Sequence, residues 1–241
     1  MISVLIPSRG RAESLAFSVK SLCRLAENPS FEILVAADPD DEVTIAAARK
    51  LGCKLHVAPA RLGYQGLHHY YNYLASQATG EWMWLWNDDC RVLTRGWDEI
   101  IHEQPDAILH PQIDIMPQHN SFPVIPAKWA QLLGYISPTP GVDLWWHALG
   151  KMTEMPVIPV KVRHSRAEGD QVAAERDARD LHGELDVFNS IEAQVARWND
   201  AQKIQEYLGK PPLIKGEIDA VVFLLTGGND IQMWQPEEAC A

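Results

Sequence analysis

Two adjacent carboxylates, Asp88 and Asp89, follow Asn87 at the end of the unbroken apolar run Trp82-Met83-Trp84-Leu85-Trp86. An apolar run this short suits a strand buried on both faces of a parallel sheet. Acids at its C-terminal end then stand where open α/β sheets place their ligands. Neither can ionise cheaply there unless something positive shares the site. A divalent cation holding a diphosphate meets that need, because hard cations take oxygen ligands. A polar turn, with Asp89 capping the helix that follows, accounts for the same residues without chemistry. Two more polar loops close earlier apolar runs: Pro7-Ser8-Arg9-Gly10-Arg11 after residues 2–6, and Asp38-Pro39-Asp40-Asp41 after residues 31–37.

To bring such loops together, strands and helices must alternate. The spacing predicts strands over 2–6, 31–37, 54–58 and 82–86, separated by helices over 12–26, 44–51 and 67–78. Leu15, Val19, Leu22 and Leu25 mark the buried face of the first helix. Alternation of this kind implies a parallel sheet with right-handed crossovers. Another strand is expected to begin over 107–110. Beyond Pro111, proline and glycine punctuate the chain as far as Gly150. Helices are expected over 128–133 and from Asp143, and a strand over 157–162. A charged helical stretch over 167–207, interrupted near Gly183, precedes a strand or docking element over 218–225.

Composition narrows the class. At 241 residues and 46% hydrophobic, the chain can bury the core of one large domain or of a domain with an appendage. A formal net charge of −11 disfavours non-specific attachment to nucleic acid or anionic membrane, although a local basic patch can still steer an anionic substrate. Cys23, Cys53, Cys90 and Cys240 form no CxxC, so a reduced, cytoplasmic setting is expected. No apolar run approaches the roughly 18 residues of a membrane span, and the chain opens on a strand pattern rather than a basic leader. The nine tryptophans suit either a core or platforms for sugars and bases.

Several segments, in order, resemble the family 2 glycosyltransferases of the GT-A fold, which invert at the sugar carbon. ISVLIPSRGRAESLAFSVKSL resembles the opening strand and helix, and FEILVAADPDD the second strand with its acidic loop. RLGYQGLHHYYNYLASQATGEW resembles the Gly-rich entry and the helix carrying an Asn, and WNDDCRVLTRGWDEI the metal motif with its Gly-Trp turn. The resemblance covers residues 1–165 and implies an α/β GT-A (Rossmann-like) domain there, a mostly parallel sheet flanked by helices. Residues 166–241 are then a helical C-terminal extension packing on it.

The resemblance also implies roles. Pro7, Ser8, Arg9 and Asp38 or Asp40 would hold the base and ribose of a nucleotide-sugar donor, UDP-linked as the family most often uses. Carboxylates can accept from a pyrimidine N–H or ribose hydroxyls, while Pro39 equally suits a solvated turn. Arg61 and Asn72 would flank the diphosphate; surface and helix-face polarity is the plain reading of both. The usual Asp-x-Asp appears here as Asn87-Asp88-Asp89, which makes Asp89 the ligand of Mn²⁺ or Mg²⁺ and gives Asp88 the ribose or a metal-bound water. A one-residue shift exchanges those two roles. His164 would complete the metal shell or touch the diphosphate, within the locally basic cluster Lys161, Arg163, His164 and Arg166. Gly141-Val142-Asp143-Leu144-Trp145-Trp146 resembles the acceptor-side acidic motif, which makes Asp143 the general base that takes the acceptor's proton. Val142 stands where an acid often precedes that base, and Asp143 also suits a helix N-cap.

The hydroxyl acceptor stays open among glycans, small molecules and modified DNA bases of the phage type, as does oligomeric state. A sugar-phosphate nucleotidyltransferase fits poorly, since PSRGRAES is not a long Gly-rich phosphate loop. The alternative is a non-catalytic, glycosyltransferase-like module that binds a nucleotide or glycan.

Overall fold

The computed structural model describes residues 1–28, 30–114, 117–164 and 187–214. Its first half runs β1 (Ile2–Ser8), α1 (Ala12–Leu25), β2 (Phe31–Ala37), α2 (Glu42–Lys50), β3 (Lys54–Val57), α3 (Leu67–Gln77) and β4 (Trp82–Leu85). These strands pair in parallel in the order β3-β2-β1-β4, and β7 (Val124–Pro126) closes the sheet antiparallel to β4. A second, three-stranded sheet holds β5 (Cys90–Val92), β8 (Val157–His164) and β6 (His110–Ile113), in that order. Helices α4 (Trp97–His102), α5 (Ala127–Leu133), α6 (Val142–Met152) and α7 (Ile191–Tyr207) complete the described elements.

Side chains alternate across a strand, so a strand buried on both faces reads as a continuous apolar run. Ile2, Val4, Ile6, Trp82 and Trp84 pack with Leu15, Val19 and Leu22 of α1 on one side of the large sheet. Leu5, Met83 and Leu85 pack with Tyr70, Tyr71 and Leu74 of α3 on the other. Trp145 and Trp146 of α6, with Ala201 and Ile204 of α7, join that second cluster. The described part of the C-terminal region therefore shares the core of the sheet. Within it, the Arg197 guanidinium sits over the Phe188 ring at 3.8 Å and donates to the Phe188 carbonyl at 2.6 Å.

Several boundaries differ from those read in the sequence. Helix α2 begins at Glu42, ahead of Thr44, because Asp41 caps it by accepting the Thr44 N–H. A strand, β5, follows Asp89 where a capped helix was the alternative, so Asp89 caps nothing. The strand expected over 107–110 is β6 and lies in the second sheet. β5 and β7 are too short to leave a periodic pattern. The expected element over 218–225, most of the helical stretch before α7, and Arg166 lie outside the described residues. Among the described residues, no helix is long and apolar enough to cross a membrane.

Glu32 ties the sheet to the turn that precedes β4. Its carboxylate accepts from Ser3 Oγ at 2.6 Å, from the Thr79 N–H at 2.7 Å and from Thr79 Oγ1 at 3.0 Å, and it pairs with Lys54. Burial pushes its pKa up, but the donors from Lys54, Ser3 and Thr79 outweigh burial and hold it at about 2. A depressed carboxylate stabilises the fold above its unfolded pKa, and that contribution fades as pH falls towards 2. Glu32→Gln is therefore expected to cost about 2 kcal/mol at pH 7 and little near pH 2.5. Urea unfolding at both pH values measures the difference.

Candidate functional site

The loops after β1, β2 and β4 meet around a cleft of about 270 Å³. Pro7, Ser8, Arg9, Asp38, Arg61, Asp88, Asp89 and His164 all line it, together with Arg11, Tyr64, Tyr70 and Tyr71. Parallel strands ending at one edge bring these residues together although they span much of the sequence.

At one end of the cleft, Arg9 forks across two acids. It donates to Asp38 Oδ2 at 2.7 Å and to the Asp40 oxygens at 2.6 and 2.9 Å. Arg9 draws the Asp40 carboxyl down to about 2. The Tyr70 hydroxyl donates to Asp38 Oδ1 and accepts the Leu62 N–H at 3.1 Å. Burial first, and the Asp38 carboxylate second, push the Tyr70 phenol up to about 12. It remains a donor at every physiological pH. Asp40 reaches the cleft only through Arg9.

At the other end stand Asp88 and Asp89. Asp88 Oδ2 accepts from Ser8 Oγ at 2.7 Å, and Arg11 Nη1 lies 3.1 Å from both Asp88 Oδ1 and Asp89 Oδ2. The remaining oxygen, Asp89 Oδ1, is 3.1 Å from His164 Nε2 and accepts weakly from the Cys90 thiol at 3.6 Å. Burial pushes Asp88 up to about 6, against the pull of Arg11 and with the push of Asp89. Burial raises Asp89 too, but His164 and Arg11 outweigh it, and the group is held low.

Backbone pairing fixes this end. Cys90 is the register partner of His164 in the antiparallel β5–β8 ladder, so Asp89 and His164 sit one step apart across it. The His164 N–H also donates to Asp114 Oδ1 at 2.9 Å. Ligand atoms of Asp89, Cys90 and His164 lie within 4.8 Å of one another. Burial and the two acids push the Cys90 thiol well up, which keeps it a neutral donor to Asp89. The two atoms able to serve a hard ion are then Asp89 Oδ1 and His164 Nε2. Their 3.1 Å separation matches the edge of an octahedron, about 3 Å for bonds of about 2.1 Å.

Asp143 is not among the residues that line the cleft. The N-cap of α6 is Gly141, so Asp143 lies inside the first turn and its carboxylate caps nothing. Its side chain is 40% exposed, and Oδ2 lies 3.1 Å from His119 Nε2. Burial first, and the Asp143 charge second, push up the phenol of Tyr71, which does line the cleft.

Two expectations need correction, for Asn72 and for the basic cluster on β8. Asn72 is not among the residues lining the cleft: its Oδ1 accepts from the Ile136 N–H at 2.7 Å and the Ser137 N–H at 3.1 Å, and its Nδ2 donates to the Ser137 carbonyl. With its oxygen doubly engaged and one N–H donated, it staples α3 to the segment after α5. Of the two roles open to them, Trp145 and Trp146 take the core, where they are fully buried. Lys161 and Arg163 project from the exposed face of β8, where Arg163 pairs with Asp114 at 3.6 Å. Arg11, Tyr70, Cys90 and His119 received no role from the sequence. Arg11 shares its loop with Arg9, and Tyr70 falls on the buried stripe of α3, so both left a signal; His119 left none.

Residues 3–106 match the family model described as glycosyl transferase family 2. No curated protein matches the chain significantly. Among solved structures, S. aureus TarS in complex with UDP-GlcNAc superposes with a TM-score of 0.60 at 12% identity, covering 93% of this chain and 71% of that one. The mannosyltransferase PcManGT from Pyrobaculum calidifontis, in complex with GDP-Man and Mn²⁺, gives a TM-score of 0.55 at 14% identity, covering 99% of this chain and 82% of that one. At these identities the likeness is one of fold, and the fold is GT-A.

Proposed function

We propose, from the premise that residues 3–106 form a glycosyltransferase family 2 domain, that this protein moves a sugar from a nucleotide-sugar donor, UDP-linked, to a hydroxyl acceptor with inversion. One observation carries the reading: a carboxylate–imidazole pair suited to a hard cation shares a single cleft with the Arg9–Asp38–Tyr70 array. The first suits a diphosphate and the second a nucleoside. TarS holding UDP-GlcNAc and PcManGT holding GDP-Man with Mn²⁺ support the same reading by fold.

Asp38, oriented by Arg9 and Tyr70, receives the N–H and O–H groups of base and ribose. Arg61, which also lines the cleft, serves the phosphates. Asp89 and His164 hold Mn²⁺ or Mg²⁺, which when bound supplies the positive charge that the departing diphosphate needs. Asp88 completes the acid pair beside Ser8 and Arg11. Asp143 accepts the acceptor's hydroxyl proton as its oxygen attacks the anomeric carbon from the face opposite the leaving group.

The test is nucleotide release from a panel of UDP- and GDP-sugars, with Mn²⁺ and with EDTA. Release from one donor, lost in EDTA, is the expected result. Binding of a nucleotide sugar without turnover under any metal would favour a non-catalytic binding module instead.

A further inference from the structure

The geometry points to His119 as the residue that positions Asp143, a role that rests on the reading of Asp143 as the base. An ionised carboxylate only accepts hydrogen bonds, so at 3.1 Å from Asp143 Oδ2 the His119 Nε2 must carry the proton. The tautomer is thereby fixed. One oxygen of Asp143 is held from behind, leaving Oδ1 as the oxygen free of His119. A carboxylate in the first turn of a helix, and 40% exposed, otherwise has several rotamers to choose from.

His119 is itself held in place, although it lies in a loop. Its neighbour Asn120 is fully buried, donating its backbone N–H to His147 Nδ1 at 3.1 Å and its side-chain amide to the Leu109 carbonyl at 3.1 Å. Accepting at Nδ1 keeps that side of the His147 ring unprotonated. Burial, reinforced by His119, Lys151 and His110, pushes His147 down to about 3, so the ring that His119 meets at a tilt, 4.6 Å between centroids, stays neutral. The groups facing His119 are thus Asp143 and His147 from α6 and His110 from β6, with Lys151 acting on His147 and His110 beside it. Asp143 is the acid among them. A loop pinned by a buried asparagine, a neutral ring beneath it and one carboxylate in front hold a single N–H on a single oxygen. His119 does not line the donor cleft, so its contribution falls on proton transfer and not on donor binding.

During transfer, the attacking oxygen forms its bond to the anomeric carbon as the bond from that carbon to the phosphate oxygen breaks. The electron pair leaves with the nucleotide diphosphate, and the proton passes to Asp143. The His119 N–H keeps the carboxylate aimed throughout. Preorganisation of this kind acts on the rate of the step, with little effect on binding.

Imidazole ¹⁵N NMR of the protein alone reads the pairing. The expected spectrum has His119 protonated at Nε2, with its resonances moved by Asp143→Asn; an Nδ1-protonated His119, or one indifferent to that substitution, overturns the proposal. Hydrolysis of UDP-GlcNAc and of GDP-mannose, with water in the acceptor's place, reads the consequence. His119→Ala is expected to lower kcat at least about tenfold at unchanged donor KM. His119→Gln, which keeps an N–H near the position of Nε2, should recover most of it. Full turnover in His119→Ala beside loss in Asp143→Asn overturns the positioning role and leaves the base assignment standing. Full turnover in both removes the base assignment and the proposal with it.

Discussion

Asp89→Asn is expected to lower metal-dependent nucleotide release by at least about 100-fold, the largest loss from any single change in the donor cleft. The two oxygens of Asp89 are differently employed: Oδ2 faces Arg11 and Oδ1 faces His164. An amide can still accept from Arg11, so the loop should keep its shape. It brings no negative charge to the cation, however, and its NH₂ group would point at one of two donors. Circular dichroism should be unchanged while the Mn²⁺-induced rise in melting temperature disappears. A variant that keeps both that rise and its turnover would move the ligand role to Asp88, the alternative register of the motif.

The second large effect concerns stability, and its sign runs the other way. Asp88 is 4% exposed, and burial lifts its pKa to about 6. A carboxyl whose folded pKa exceeds its unfolded value binds more protons in the folded state between those values. Stability of the metal-free protein therefore falls as pH rises from about 4 to about 6, by an amount on the order of 2–3 kcal/mol. Asp88→Asn removes that penalty while retaining an oxygen for Arg11, and the Ser8 hydroxyl can turn to accept from the new amide. Its urea midpoint in EDTA is expected to match that of the parent near pH 4 and to exceed it at pH 7. Parallel pH profiles for the two proteins would show that Asp88 stays charged at no cost. A site that weakens the fold when empty of cations is what a metal-dependent function leads one to expect.

The residues that declared themselves in the sequence did so because strand periodicity and loop polarity are local signals. Three largely apolar runs led into loops carrying Arg9, Asp38 and Asp89, and a parallel sheet gathers such ends at one edge. His164 was legible only through the family resemblance, since the strand read over 157–162 stopped short of it and β8 runs on to His164. Asn72 misled because helix periodicity gives the face of a side chain and not its partner, and that partner lies on a segment 64 residues away. His119 was invisible, since nothing near it in the chain hints at Asp143, 24 residues on. The pairing of the small second sheet was equally hidden: strands were read near β6 and β8, but no local pattern joins them to each other or to the three-residue β5.

That second sheet has a consequence for how the protein can change. Asp89 and His164, the cation ligands proposed above, are separated by 75 positions, yet one step of a hydrogen-bonded ladder fixes their distance. Between β5 and β8 the chain makes a closed excursion whose ends are tied together, while β6 and β7 within it pair with β8 and β4. The loops joining those strands and helices can lengthen, shorten or be exchanged without disturbing the spacing of Asp89 and His164. On the proposed function, acceptor preference and donor chemistry would thereby be free to diverge independently, like a tool with an interchangeable head on a fixed handle.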